Sequence, residues 1–339
     1  MVLPRMNAHR LVIIAAAVTI LVTAMLASSL AVLGGLALPA GVHHDISTAQ
    51  NTTLVISGSV NASDDARYVA MLPGQIRHAL DDTPYTLYHA VWSGPLGFTG
   101  RSGQATGGNV PIAQAAALDD VAAHATLLSG NWPTEAGSGG VIPAALPASA
   151  AVLMHMTVGQ TVTFKDRSSS GIIRFRITGL YRPSQVAGAT RYWKLDLIGV
   201  SGVSSAGGFT TYGPLTVPRS AFTAANAADG SSGLVQAQAS WLAEPRLAAM
   251  PQDQFSTIAN NLNALSASLG NPASLPGLQL TSGLPSVLSG IAANLDVARS
   301  LLAICAILLA LLGGAVLLAV ARLLYGQREE ETAILVARG

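Results

Sequence analysis

The chain has 339 residues, of which 10% are charged and 50% hydrophobic, with a net charge of +1. Soluble domains carry about 25% charged residues, so this deficit points to a bilayer. The near-zero charge and 5% aromatic content exclude a nucleic-acid partner. The single cysteine, Cys305, excludes an intramolecular disulfide and sits in an apolar run, where burial disfavours a reactive thiolate.

Leu11–Leu38 is 28 residues without a charge, preceded by Arg5 and Arg10. At ~1.5 Å per residue it exceeds the ~30 Å hydrocarbon core. A cleaved signal peptide is the alternative, but its apolar region is usually only about 7–15 residues long. Ser300–Val320 is a second uncharged run, followed by Arg322 and Arg328. Cations at the outer ends of both runs predict two cytoplasmic termini, with the intervening region outside the cell membrane.

Between the spans, Thr52–Val60 reads as a strand and Asp64–Leu80 as a helix, with Asp64 and Asp65 near its favourable start. Pro73 either kinks that helix or begins a second one. Tyr85–Trp92 reads as a strand ended by Pro95 and Gly97, and Leu118–Leu128 as a short helix closed by Ser129–Pro133. A helix over Pro147–Met156 is followed by the terminator Gly159. Thr161–Lys165 and Ile172–Tyr181 read as a hairpin whose Ile173, Phe175 and Ile177 share the buried face. Gly199–Gly213 reads as a mobile loop, with Pro214–Pro218 and Gly233–Trp241 as strands. Phe255, Ile258, Leu262, Leu265 and Leu269 mark an amphipathic helix.

Leu288, Ile291, Leu295, Ala298 and Leu302 keep the same 3,4 spacing ahead of the second span. They predict one helix over Pro285–Tyr325, about 60 Å long, of which the bilayer takes roughly half. The rest forms a stalk whose seam, Leu288, Ile291, Leu295 and Ala298, packs on a partner or on the chain's own domain.

Catalytic signatures are absent from the sequence. There is no Gly-Lys pair for a phosphate loop, no G-x-S-x-G, no S-x-x-K and no H-E-x-x-H. His43-His44-Asp45 is too tightly spaced for one tetrahedral metal site and reads as an interfacial turn. The acid pairs Asp81-Asp82 and Asp119-Asp120 read as solvated helix ends rather than general acid/base pairs. Asn51-Thr52-Thr53 and Asn61-Ala62-Ser63 match the short glycosylation pattern. The expected protein is not an enzyme and has no cofactor, no metal and no catalytic residue.

After the second span the sequence reads Arg328-Glu329-Glu330-Glu331-Thr332-Ala333-Ile334-Leu335-Val336-Ala337-Arg338-Gly339. This resembles the segment following the second span of FtsX-like (MacB-type) ABC transporter permeases. Arg328 and Glu331 match that family's charged pair, Ala333–Leu335 its apolar triplet, and Ala337 with Gly339 its close. Val336 departs from the family's Arg. Gly130–Pro133, Ile142-Pro143, Ala151–Phe164 and Ile177–Tyr181 resemble the family's extracytoplasmic core. Tyr192-Trp193 and Gly213–Val217 resemble its large actinobacterial members.

The resemblance implies a membrane protein with two transmembrane helices flanking an α+β extracytoplasmic domain, the second span extended into a helical stalk. The expected parts are a cytoplasmic N-terminus (1–10), a first span (11–38), the domain (39–284), stalk plus second span (285–325) and a coupling segment (326–339). It also implies a permease subunit that works with a separate ABC ATPase subunit and a second permease protomer or half, among membrane lipids. The ATPase would dock at Arg328, Glu329, Glu331, Ile334, Leu335 and Arg338, driving export or release of a lipid, lipoprotein, peptide or drug. Family permeases carry at least four spans, so the chain reads as an amino-terminal portion or a truncated product. The alternative is a membrane-anchored sensor, or a regulator of cell-wall enzymes that transports nothing.

Overall fold

The computed structural model describes residues 18–19, 21–29, 32, 49, 51–99, 108–134, 140–168, 171–223, 233–269, 271 and 277–336. The chain divides into two units, Gln50–Leu288 and the combination of Met1–Ala49 with Ser289–Gly339.

The first unit is an α+β domain. In chain order its elements are β1 (Leu54–Gly58), α1 (Ala62–Ala79), β2 (Tyr85–Ser93), β3 (Leu96–Phe98), β4 (Val110–Leu118), α2 (Val121–His124), β5 (Ala125–Gly130), β6 (Val141–Pro147) and α3 (Ala148–Met154). They continue with β7 (Thr161–Asp166), β8 (Ile172–Pro183), α4 (Ala187–Tyr192), α5 (Leu197–Ser201), β9 (Val203–Ala206), β10 (Phe209–Thr216), α6 (Ser220–Thr223), β11 (Gln236–Pro245), α7 (Phe255–Leu269) and β12 (Leu278–Thr281). Helix α8 (Leu284–Val336) follows.

The strands run in the order β12-β1-β11-β2-β4-β3-β7-β8-β6-β10-β9, and β4 also pairs with β10. That extra pairing joins β4, β3, β7, β8, β6 and β10 into a closed ring of six strands. Closure removes most free edges of the sheet. Phe98, Phe164, Phe175 and Tyr212 meet ring to ring within this part of the fold, with centroids 5.1–5.9 Å apart. In β8 the alternation expected from sequence holds. Ile173, Phe175 and Ile177 are buried, Arg174 and Arg176 are exposed, and β7 pairs antiparallel alongside.

Strands β2, β11, β1 and β12 extend the ring as an antiparallel sheet, with α1 against β11 and α7 against β12 and α1. Helix α1 buries Asp65, Tyr68, Leu72, Ile76 and Ala79, one stripe at 3–4-residue spacing. Pro73 lies within this single helix and starts no second one. Helix α7 buries Phe255, Ile258, Leu262, Leu265 and Leu269, the expected face.

Two local expectations are corrected. Leu118–Leu128 is not a helix: β4 ends at Leu118, one turn covers Val121–His124, and β5 begins at Ala125. Asp120 at φ 54° breaks the helical path. Gly199–Gly213 is not a loop but holds the end of α5, β9 and the start of β10, a hairpin turned at Gly207 and Gly208 (φ 58° and 78°). The Tyr85–Trp92 strand ends ahead of Pro95 as expected, since β2 stops at Ser93, and Gly97 lies within the next short strand, β3.

In the second unit, residues 18–19, 21–29 and 32 are helical, and the remainder of the first apolar run lies outside the described residues. Leu284–Ala319 is long and apolar enough to cross a membrane, its most apolar 18-residue stretch having a mean hydropathy of 2.9. Free Cys305 is exposed on it. Within this unit Thr23, Ala27, Ala303, Ala306, Gly313 and Gly314 line a groove of about 750 Å³.

Candidate functional site

Of the residues expected to contact an ATPase, Arg328, Glu329, Glu331, Ile334 and Leu335 fall on the backbone of α8, and Arg338 lies outside the described residues. Of the stalk seam, Leu288 is 0%, Ile291 9% and Leu295 4% exposed, whereas Ala298 is half-buried. His43-His44-Asp45 lies outside the described residues. Among the described residues no group of three or more His, Cys, Asp or Glu could hold a metal ion.

The domain contains a polar site that no sequence motif announces. Asn61 caps α1 by accepting the Asp64 N–H at 2.9 Å, and Asp64 pairs with Arg67 at 3.6 Å. Asp65, expected as a second dipole-stabilising acid, instead turns inward. Its Oδ1 lies 2.8 Å from His89 Nε2. On the other side of the ring, Arg219 Nη1 and Nη2 lie 2.9 and 2.6 Å from His89 Nδ1. A guanidinium only donates, so Nδ1 accepts and the imidazole proton sits on Nε2, close to the carboxylate but not aligned for a hydrogen bond. The imidazole stacks on Trp241 at 4.7 Å, with the planes 4° apart.

This Asp65–His89–Arg219 chain leads to the turn after β4. The His89 backbone N–H donates to Asp119 Oδ2 at 3.1 Å, and the Asp119 N–H returns a bond to His89 O at 3.0 Å. The turn is clamped from the other side. Tyr192 Oη donates to Asp119 O at 2.6 Å, and Trp193 Nε1 donates to His124 O at 3.1 Å. Tyr192 also stacks on His124 at 3.9 Å, and Tyr88 meets both rings edge-on. Burial lowers the His124 pKa, partly opposed by Asp120, and raises that of Tyr192 far above its ordinary value.

Strands β4 and β10 are parallel, and their carboxyl ends deliver Asp119, Asp120, Thr216 and Arg219 to one cleft of about 220 Å³. Trp132 and Pro133, following β5, complete its lining. The buried Thr216 Oγ1 lies 3.0 Å from Tyr181 Oη, which fixes that wall. A second, more open groove of about 590 Å³ runs between α3 and Tyr181–Gln185.

No family model matches the chain, and no curated protein matches it. Among solved structures it is similar to the crystal structure of the periplasmic region of MacB from Actinobacillus actinomycetemcomitans, at 14% identity and a TM-score of 0.31. The match covers 71% of this chain and 92% of that one. A TM-score this low carries no functional argument.

Proposed function

We propose that this chain is the permease subunit of an ABC transporter in the plasma membrane. Two spans anchor it, both termini are cytoplasmic, and the α+β domain lies outside. It works with a separate ATPase and a second permease protomer or half, moving a lipid, lipoprotein, peptide or drug. The observation that carries this reading is α8, an unbroken helix of 53 residues. At ~1.5 Å per residue it is about 80 Å long, so it can cross a ~30 Å hydrocarbon core with more than half its length to spare. A continuous helix is the kind of element that carries motion across a bilayer. The charged segment around Arg328–Glu331 at its far end is where the sequence resembles the coupling region of the permease family.

The test is reconstitution with a candidate ABC ATPase subunit from the source organism. The chain alone is expected to hydrolyse no ATP, lacking the phosphate-cradling loop. Together the two are expected to form a complex in which the chain alters ATP turnover, and Arg328→Glu with Glu331→Lys abolishes that effect. ATP turnover by the pure chain, or an ATPase indifferent to it, overturns the reading.

A further inference from the structure

The buried His89 holds two opposite charges apart. Asp65 Oδ1 of α1 lies 2.8 Å from its Nε2, and both terminal nitrogens of Arg219 lie against its Nδ1, at 2.9 and 2.6 Å. The arrangement leaves polar atoms unsatisfied: among the described residues, His89 Nε2, Asp65 Oδ1 and Arg219 Nε have no hydrogen-bond partner. Native folds rarely leave buried groups in this condition. From β11, Trp241 stacks flat on the imidazole at 4.7 Å, with Tyr68 of α1 edge-on behind it at 6.2 Å. From the turn after β4, Asp119 Oδ2 accepts the His89 N–H. Arg219 also lines the cleft of about 220 Å³ that Asp119 and Asp120 line. Both acids are exposed, and among the described residues neither pairs with a cation within 4.0 Å.

We propose that His89 is a proton-operated switch that moves the Arg219 guanidinium between two sites. With the imidazole neutral, Nδ1 accepts from Arg219, and the cleft presents Asp119 and Asp120 without a cation. Protonation of Nδ1 turns that acceptor into a donor and puts two cations in contact, so the guanidinium leaves. Asp65 and the electron-rich face of Trp241 then compensate the buried imidazolium. The expelled guanidinium swings into the cleft, where the two carboxylates accept its donors. Burial and Arg219 oppose the proton, Asp65, Trp241 and Asp119 favour it, and the new pairing in the cleft decides the balance. In acid, Arg219 therefore ties the turn after β4 to the segment after β10, the parallel pair that closes the ring.

The experiment is tryptophan fluorescence of the full chain in detergent, titrated from about pH 8 down to about pH 4. It needs no ATP and no ATPase, so its outcome is independent of the permease reading. Circular dichroism at each pH separates quenching from unfolding. An imidazolium quenches a stacked indole far more strongly than a neutral imidazole does, so acid is expected to quench Trp241. His89→Asn keeps an acceptor for Arg219 and cannot be protonated, so the quench is expected to vanish. Asp65→Asn is expected to lower the quench midpoint and Arg219→Gln to raise it, each by about one pH unit, a tenfold change in proton affinity. These opposed shifts decide the matter even where His89→Asn fails to fold. Replacing Asp119 and Asp120 together by Asn tests the second site. The pair is expected to lower the midpoint in the parent and to do so far less in the Arg219→Gln chain, because the acids act through the guanidinium. Absence of the quench, a quench that survives His89→Asn, shifts of Asp65→Asn and Arg219→Gln in one direction, or an acid-pair effect that is the same with and without Arg219 overturns the proposal.

Discussion

Asp196 is fully buried and uses Oδ1 to accept the Ile198 N–H at 3.0 Å, capping α5. Burial pushes its pKa up to about 6 from 3.8, against the opposing hydrogen bonds from the Gly199 and Ile198 amides. Between those two pH values the folded chain binds more protons than the unfolded chain, so stability falls as pH rises. The contribution is fully present below about pH 4 and is lost through pH 6, on the order of 3 kcal/mol in all. Asp196→Asn keeps a capping oxygen and removes the titration. Denaturation followed by tryptophan fluorescence is expected to give the variant a flatter stability profile between pH 4 and 7 than the parent. Identical slopes would remove Asp196 as the source. At this scale the sequence was informative only where partners are close. Asp64 at the start of α1 was legible, whereas the Asn61 cap was not read, and His89 finds its partners at Asp65 and, 130 residues away, at Arg219. No spacing rule links such positions.

At the scale of elements, periodicity was legible wherever one face is buried and the other wet. Helices α1 and α7 and the β7–β8 hairpin show this most clearly. It failed for β4, whose Ala115, Ala116 and Ala117 favour helix by intrinsic propensity but pack in a strand flanked by β2, β3 and β10. Small side chains suit that crowded position, and tertiary pairing overrides propensity. In α8 the 3,4 spacing separates neighbouring residues sharply: Ile291 is buried, Ala292 half-buried and Asn294 exposed. Burying an aliphatic side chain of this size contributes about 1.5–3 kcal/mol, and a buried ammonium adds a desolvation cost. Ile291→Lys is therefore expected to impair transporter activity, or coupling to ATP turnover, while Ala292→Lys is mild. Equal tolerance at the two positions would show that the seam has no packing role.

For the whole molecule, composition and the apolar run of α8 were legible, but ring closure was not. The β4–β10 pairing joins Val110 to Phe209, nearly a hundred residues apart and parallel, so no hairpin signal accompanies it. The proposed topology has a direct check. With Cys305→Ser as background, a cysteine at exposed Thr157 is expected to react with an impermeant maleimide from outside intact cells, and one at position 327 only after permeabilisation. Reaction of both from the same side would contradict the two-span arrangement.

The four tryptophans, Trp92, Trp132, Trp193 and Trp241, all lie in the first unit, whereas the only thiol, exposed Cys305, lies in the second. The natural chain therefore separates its intrinsic emitters from its single conjugation point. Cys305 lies in an apolar run, where a thiol reacts slowly, so a small, apolar, membrane-permeant acceptor on it would make resonance energy transfer a reporter between the two units. In the proposed transporter each nucleotide state could then be read as a change in transfer efficiency without introducing a cysteine or a tryptophan.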